Sequence, residues 1–257
     1  MAAPASRGAA MKLRIISGEL KGRYVVVGDG IDIRPTQERV RESVAEIVKR
    51  RLRGAAVADL CAGSGAFGFE MASRGAASVD FVEADKRAAV NIRENADALG
   101  VADRVRVVRD DVRKFVSGRL LKFLGDEDNI IAGDDGGTVA FGGDHNNITG
   151  NDICQPVRDG CRRKITGNCA DRYDIIYYDP PYDFVDLREL VPELLNLLRD
   201  GGLLIYERRR RRGEKKAAEA GGMENLIDAR IYADTVIEIY SNRSGERDAD
   251  SALPGDV

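Results

Sequence analysis

Residues 56–99 read AVADLCAGSGAFGFEMASRGAASVDFVEADKRAAVNIRENADAL, and their rhythm is strand, glycine turn, helix, strand, helix. Ala56 to Leu60 is a short apolar run of strand length. Cys61-Ala62-Gly63-Ser64-Gly65 is the turn that opens a helix over about 66–74. Val79 to Glu83 forms a second strand, and a helix from Lys86 to Leu99 stops at Gly100. Two strands joined through a helix run parallel, with a right-handed crossover.

The same alternation continues downstream. Val105 to Val108 is a third strand ending at Asp110-Asp111, and Tyr173 to Tyr178 is a fourth, running into Asp179-Pro180-Pro181-Tyr182. A helix over about 187–199, Gly201-Gly202 and a fifth strand from Leu203 to Glu207 follow, and 226–241 supply two more strand candidates. Upstream, Lys12 to Val27 holds two apolar runs divided by Ser-Gly-Glu-Leu-Lys-Gly, which predicts a β-hairpin. Pro35 disfavours helix at Arg34, and Thr36 can cap a helix over about 37–52 with Val40, Val44, Ile47, Val48 and Leu52 on one stripe. The expected fold is therefore α/β: a doubly wound, mostly parallel sheet over 55–242, preceded by a hairpin-plus-helix extension at 11–54.

Three stretches stand outside this rhythm. Residues 1–10 and 243–257 read as disordered tails. Between Gly118 and Arg172 the chain is rich in Gly, Asp and Asn, and a crossover needs no such length, so about 118–171 reads as an insertion, flexible over most of its length. It contains His145, the single histidine, and Cys154, Cys161 and Cys169. Their spacing lacks the close pair of a zinc site, so no metal is expected.

Composition narrows the classes further. The chain has 257 residues, of which 43% are hydrophobic and 32% charged. No apolar run approaches the length of a membrane span, and the first residues lack the apolar core of a secretory signal. Four cysteines without dense pairing suggest reduced thiols in a cytoplasmic protein, and a monomer is expected. The net charge of −3 is unevenly spread: residues 1–53 carry twelve Lys/Arg against six acids. A second basic run, Arg208 to Arg212 with Lys215 and Lys216, lies far away in sequence. Such clusters on an acidic chain fit contacts to a phosphate backbone; the plainer reading is solvated helix and loop faces.

Four strand ends carry chemistry. The turn Asp59 to Gly65 lets the backbone approach a nucleoside closely and offers amide donors at a helix N-terminus. It is neither a dinucleotide fingerprint nor a P-loop. Glu83, about 20 residues after the glycines, can accept bonds from both ribose hydroxyls. Asp111, with Asp110 beside it, can bond an adenine amino group. In Asp179-Pro180-Pro181-Tyr182 the two prolines fix the backbone, so that the Asp179 carboxylate and the Pro180 carbonyl point into one pocket. Two acceptors suit the two hydrogens of an exocyclic NH2, and Tyr182 gives a face for a base to stack on.

Asp59 to Gly65, Glu83, Asp111 and Asp179-Pro180-Pro181-Tyr182 resemble the motifs of class I S-adenosylmethionine-dependent methyltransferases acting on an amino nitrogen. The stretch Arg14-Ile15-Ile16-Ser17-Gly18-Glu19-Leu20-Lys21-Gly22-Arg23, then Arg34-Pro35-Thr36 and Arg39-Val40-Arg41-Glu42, narrows this to the RsmD type of bacterial small-subunit rRNA guanine-N2 methyltransferases. The resemblance covers about 11–117 and 172–242, and the insertion departs from it. It implies a seven-stranded sheet and S-adenosylmethionine held by Asp59, Ala62, Gly63, Ser64, Gly65, Glu83 and Asp111. Asp179, Pro180 and Tyr182 would be the catalytic residues. Arg14, Lys21, Arg23, Arg34, Thr36, Arg39 and Arg41 would contact 16S rRNA, with guanine 966 as target, in an assembling 30S particle. Two alternatives stay open: an adenine-N6 DNA methyltransferase, and a non-catalytic RNA-binding protein on the same scaffold.

Overall fold

The computed structural model describes residues 11–28, 30–31, 38–124, 130–132, 138–141, 148–149, 172–181, 187–212, 214 and 225–242. The chain opens with an antiparallel hairpin of β1 (Met11–Arg14) and β2 (Tyr24–Val27), in which Arg14 faces Tyr24, and continues into α1 (Glu38–Leu52). Then come β3 (Ala56–Leu60), α2 (Ala66–Ser73), β4 (Ser78–Val82), α3 (Lys86–Leu99), β5 (Val105–Val108) and α4 (Val112–Leu124). Three short strands, β6 (Ile130–Ala132), β7 (Thr138–Phe141) and β8 (Ile148–Thr149), pair antiparallel with one another in a sheet of their own. The chain closes with β9 (Tyr173–Tyr178), α5 (Val191–Asn196), β10 (Leu198–Arg209), β11 (Leu226–Tyr232) and β12 (Thr235–Ser241).

The main sheet has seven strands in the order β11-β12-β10-β9-β3-β4-β5. The β5-β4-β3-β9-β10 series is parallel throughout, and only β12 runs against its neighbours, pairing antiparallel with both β10 and β11. Chain order reverses between β3 and β9, so the crevice beyond the carboxyl ends of these two central strands is the topological switch point where doubly wound sheets bind ligands. Each face is covered by helices because each central strand is apolar on both sides. Val57, Ile175, Tyr177 and Ile205 pack under α1, α2 and α3, while Ala58, Leu60, Ile176 and Leu204 pack under α4 and α5. The stripe expected for α1 is the buried one: Val40, Val44, Ile47, Val48 and Leu52 all lie in the first layer.

Two boundaries differ from expectation, each for a packing reason. The break expected at Gly118 falls inside α4, which carries on to Leu124 because Phe115, Val116 and Leu120 keep packing on the sheet. The helix expected to reach residue 199 ends at Asn196, because Leu198 already pairs with Tyr173; an irregularity around Gly201-Gly202 then leads β10 back into register at Leu203. The two tails, most of the insertion with His145 and its three cysteines, Lys215 and Lys216 lie outside the described residues.

The hairpin is fastened to the helices rather than set apart from them. The buried Glu70 carboxylate on α2 accepts the Ile16 and Ser17 N–H groups at 2.8 and 3.1 Å. Ser73 Oγ accepts from Leu20 N–H at 3.0 Å and donates to Ser17 O at 2.5 Å. Asn95 on α3 binds both the N–H and the carbonyl of Val26, each at 2.8 Å. Gly18 makes this docking possible: its φ is +86°, and a Cβ there would sit 1.9 Å from the Ser73 carbonyl oxygen.

Candidate active site

Four backbone hydrogen bonds tie the strand ends into one rim. Ala62 N–H donates to Val82 O at 3.1 Å, Glu83 N–H to Val108 O at 3.1 Å and Asp110 N–H to Glu83 O at 3.2 Å; Asp179 N–H reaches Leu60 O at 3.5 Å. The glycine turn, Glu83, Asp110-Asp111 and Asp179, distant in sequence, therefore share the carboxyl edge of β3, β4, β5 and β9.

The turn itself is tightly wound. Cys61, Gly63 and Gly65 all have positive φ, and Gly65 N–H closes onto Ala62 O at 2.7 Å before α2 begins. Glu83 shapes the turn from the neighbouring strand: Oε2 accepts from Gly63 N–H at 2.7 Å and Oε1 from Asp85 N–H at 2.8 Å. Each carboxylate oxygen has two lone pairs, so both retain capacity for a diol while the backbone holds the group in place. The Asp111 Oδ1 atom accepts from the first N–H groups of α4, Arg113 at 2.9 Å and Lys114 at 3.4 Å, and its side chain is exposed at the rim. Ser64 is turned inward, its Oγ accepting from Ala66 N–H at 3.3 Å.

Asp59 sits beneath this turn instead of lining the rim. It is 1% exposed, and its Oδ2 accepts from Gly68 N–H on α2 at 2.9 Å. The contact requires glycine at 68, because a Cβ there would lie 2.2 Å from the Phe81 ring and 3.0 Å from Asp59 Oδ2. Burial pushes the Asp59 carboxyl up to about 8, the nearby Glu83 charge adding to it and the Gly68 bond opposing it. Its place is that of a fastening between β3 and α2. Cys61 lies among the acids: burial raises its thiol, and Glu83, Asp179, Asp59 and Asp111 raise it further, which keeps it a thiol rather than a nucleophilic thiolate.

At the end of β9, Asp179 is half-buried, Pro180 is buried and Pro181 exposed; Tyr182 lies outside the described residues. Tyr177, two residues earlier, stacks on Phe67 of α2 with ring centroids 3.8 Å apart, and its hydroxyl bonds Glu207. That stack couples the β9 end to the first turn of α2, a pairing that neither segment signals alone.

The basic residues of the N-terminal extension divide. Arg14, Lys21 and Arg39 are exposed. Arg23 is exposed too, yet its guanidinium donates to the last carbonyls of α3, Leu99 at 2.8 Å and Ala98. Arg41 is only 2% exposed, which removes it from the surface in this conformation. Its Nη2 approaches Arg14 O at 3.4 Å, and Nε and Nη1 have no hydrogen-bond partner among the described residues. Burial lowers the Arg41 guanidinium, against the pull of Glu70 and Glu38. Arg34 and Thr36 lie outside the described residues. Arg14 and Lys21 line a groove of about 360 Å³ with Arg74, Glu38, Glu42 and Glu46, so its walls carry both signs of charge. Among the described residues no cluster of acids, histidines and cysteines is arranged to hold a metal ion. None of their helices is long and apolar enough to cross a membrane.

The strand order with its single reversed strand, and the glycine turn at the switch point, define the class I methyltransferase fold. Residues 13–122 match the family described as "Conserved hypothetical protein 95", in keeping with the resemblance carried by the motifs. "Ribosomal RNA small subunit methyltransferase D" of Escherichia coli is 35% identical over 106 residues, 41% of this chain and 53% of that protein. "Putative rRNA methyltransferase YlbH" of Bacillus subtilis is 34% identical over 102 residues, 40% of this chain and 55% of that one. The chain thus spans about half the length of the curated relatives it matches. The solved structure "Putative methyltransferase yhhF from Escherichia coli" superposes with a TM-score of 0.60 at 23% identity, over 90% of this chain and 98% of that one, and bears out the fold.

Proposed function

We propose that this protein methylates the exocyclic N2 of a guanine in small-subunit rRNA, with S-adenosylmethionine as methyl donor and position 966 as target. The observation that carries the reading is the shared rim: a glycine turn braced by Glu83, the exposed Asp111, and Asp179 followed by Pro180, all on adjoining strand ends. Methyltransferase names among the relatives, two of them for rRNA, support it.

The donor set suits a nucleoside. The Ala62 to Gly65 turn and the α2 N-terminus would face the amino-acid part, Glu83 the ribose hydroxyls and Asp111 the adenine amino group. When bound, S-adenosylmethionine supplies an electrophilic methyl group on a sulfonium. The guanine amine is a poor nucleophile because its lone pair is delocalised into the ring. The Asp179 carboxylate and the Pro180 carbonyl accept its two N–H bonds, which draws the nitrogen toward tetrahedral geometry and holds it in place. Positioning and electrostatic preorganisation of this kind contribute several kcal/mol. A base edge is reached only after the base leaves its stack, and Tyr182 would hold it there. Arg14, Lys21 and Arg39 would meet the RNA phosphates.

Incubating the protein with tritiated S-adenosylmethionine and either duplex DNA, naked rRNA or assembling small subunits tests the reading. Label in guanine N2 of small-subunit rRNA supports it. Label in adenine N6 of DNA, or in no nucleic acid while RNA is bound, would overturn it in favour of one of the two alternatives. The arm that labels best, naked rRNA or subunits, identifies the physiological partner.

A further inference from the structure

The second basic run looks in sequence like five equivalent arginines, and the structure makes them unequal. Arg208 is 7% exposed: its Nε donates to the buried Glu238 at 2.7 Å, and Nη1 and Nη2 donate to Glu214 at 3.1 and 2.6 Å. Arg210 ties the backbone down, donating to Glu214 O through Nε at 2.9 Å and Nη2 at 2.6 Å, and to Ala233 O at 3.2 Å. The Arg210 N–H itself donates to Asp234 O at 2.7 Å. Glu214 also accepts the Arg211 N–H at 2.9 Å, and the Arg208 guanidinium beside it holds its carboxyl down at about 2. Two arginines and one glutamate are thus consumed in building a turn, and Arg209, Arg211 and Arg212 are left exposed on it.

The turn grows out of β10, the strand next to β9. Tyr206 is level with Tyr178 in the parallel register, so Glu207 is level with Asp179 and Arg209 lies two residues beyond. With strands about 4.8 Å apart and a rise of about 3.3 Å per residue, the Arg209 and Asp179 backbones are roughly 8 Å apart. A turn that starts at that distance from Asp179 and carries three exposed arginines on a backbone held by Arg208, Arg210 and Glu214 fits a polyanion lying across the rim, and arginine's planar fork suits phosphate oxygens.

We propose that Arg209, Arg211 and Arg212 form a pre-set phosphate cradle for the RNA backbone next to the target nucleotide, on a turn locked by Arg208, Arg210 and Glu214. This rests on the rRNA methyltransferase reading above. The test uses the full chain, a small-subunit rRNA fragment carrying the target guanine, and salt varied from about 50 to 200 mM. Each lost phosphate contact reduces the slope of log affinity against log salt by about 0.7–0.9. Replacing the three exposed arginines by alanine together therefore lowers that slope by about 2.1–2.7, raises the KM for RNA roughly tenfold and leaves S-adenosylhomocysteine affinity unchanged. Glu214→Gln removes one negative charge from the protein, yet it weakens RNA binding several-fold, because the turn loses its charged acceptor. A triple variant with wild-type slope and KM, while the wild type methylates the fragment, overturns the cradle alone. Tighter RNA binding by Glu214→Gln overturns the locked turn. A wild type that neither binds nor methylates small-subunit rRNA, whether as the fragment or in assembling subunits, overturns the rRNA reading and the cradle with it.

Discussion

Replacing Asp59 by asparagine should make the protein's stability less sensitive to pH. The folded protein keeps the Asp59 proton up to about pH 8, whereas an unfolded aspartate gives it up near its ordinary value of 3.8. Between those limits the folded state binds one proton more than the unfolded state. Every pH unit in that window then costs the folded state about 1.4 kcal/mol. The contribution is fully present below the ordinary value and is lost as pH rises through the folded one. From about pH 5 to pH 7 the wild type loses about 3 kcal/mol through this carboxyl, and the variant, which has no carboxyl to titrate there, does not. An asparagine side chain can still accept the Gly68 N–H through its Oδ1, so the fastening between β3 and α2 survives. Urea unfolding followed by far-UV circular dichroism at about pH 5, 6, 7 and 8 gives the two curves. Their difference should swing by about 3 kcal/mol in favour of the variant, or roughly 6–12 °C in melting temperature. Parallel curves would refute a buried, protonated Asp59.

Asp179→Ala should abolish methyl transfer and leave cofactor affinity within a few-fold, as measured by calorimetry with S-adenosylhomocysteine; retained turnover would remove the acceptor pair. Glu83→Ala should weaken cofactor binding by about 1.5–3 kcal/mol, since it removes an anionic acceptor and frees the Gly63 N–H that it holds. Unchanged affinity would take Glu83 out of the site. Gly18→Ala should cost about 3 kcal/mol, because the added carbon meets the Ser73 carbonyl at a backbone angle that alanine resists. A melting temperature equal to wild type would refute that docking geometry.

The main sheet was legible because each element carries its own local signal. Val79 to Glu83 and Lys86 to Leu99 announce themselves by period and by a terminal glycine, and Asp85 then caps α3 through Arg87 and Ala88 N–H. The strand-end acids were legible for the same reason, being fixed by position along a strand. What the sequence hides is pairing across distance. Arg41 looks like its neighbour Arg39, and only the fold decides that one is buried beside Arg14 while the other is exposed. Glu70 has the ordinary look of a helix-surface acid, and its burial depends on backbone N–H groups 53 and 54 residues earlier. Asp59 reads as a ligand-facing acid at a strand end; the absence of a side chain at Gly68 is the one local hint that α2 comes down onto it. The run Arg208 to Arg212 is uniform in composition, and its division into builders and presenters depends on Glu214 and Glu238.

The long span between the hairpin and its fasteners also sets an order of events during synthesis. Ile15, Val25 and Val27 are made before the groups that hold their hairpin: Glu70, Ser73, Asn95 and the Ala98 and Leu99 carbonyls come 53 to 76 residues later. At about 5–20 residues per second, that gap leaves the first two strands waiting roughly 3–15 s for their dock. A two-stranded ribbon is marginal in water by itself. The hairpin strands are therefore translated well before the groups that secure them, and a nascent chain stalled before α3 would leave their apolar faces open to solvent.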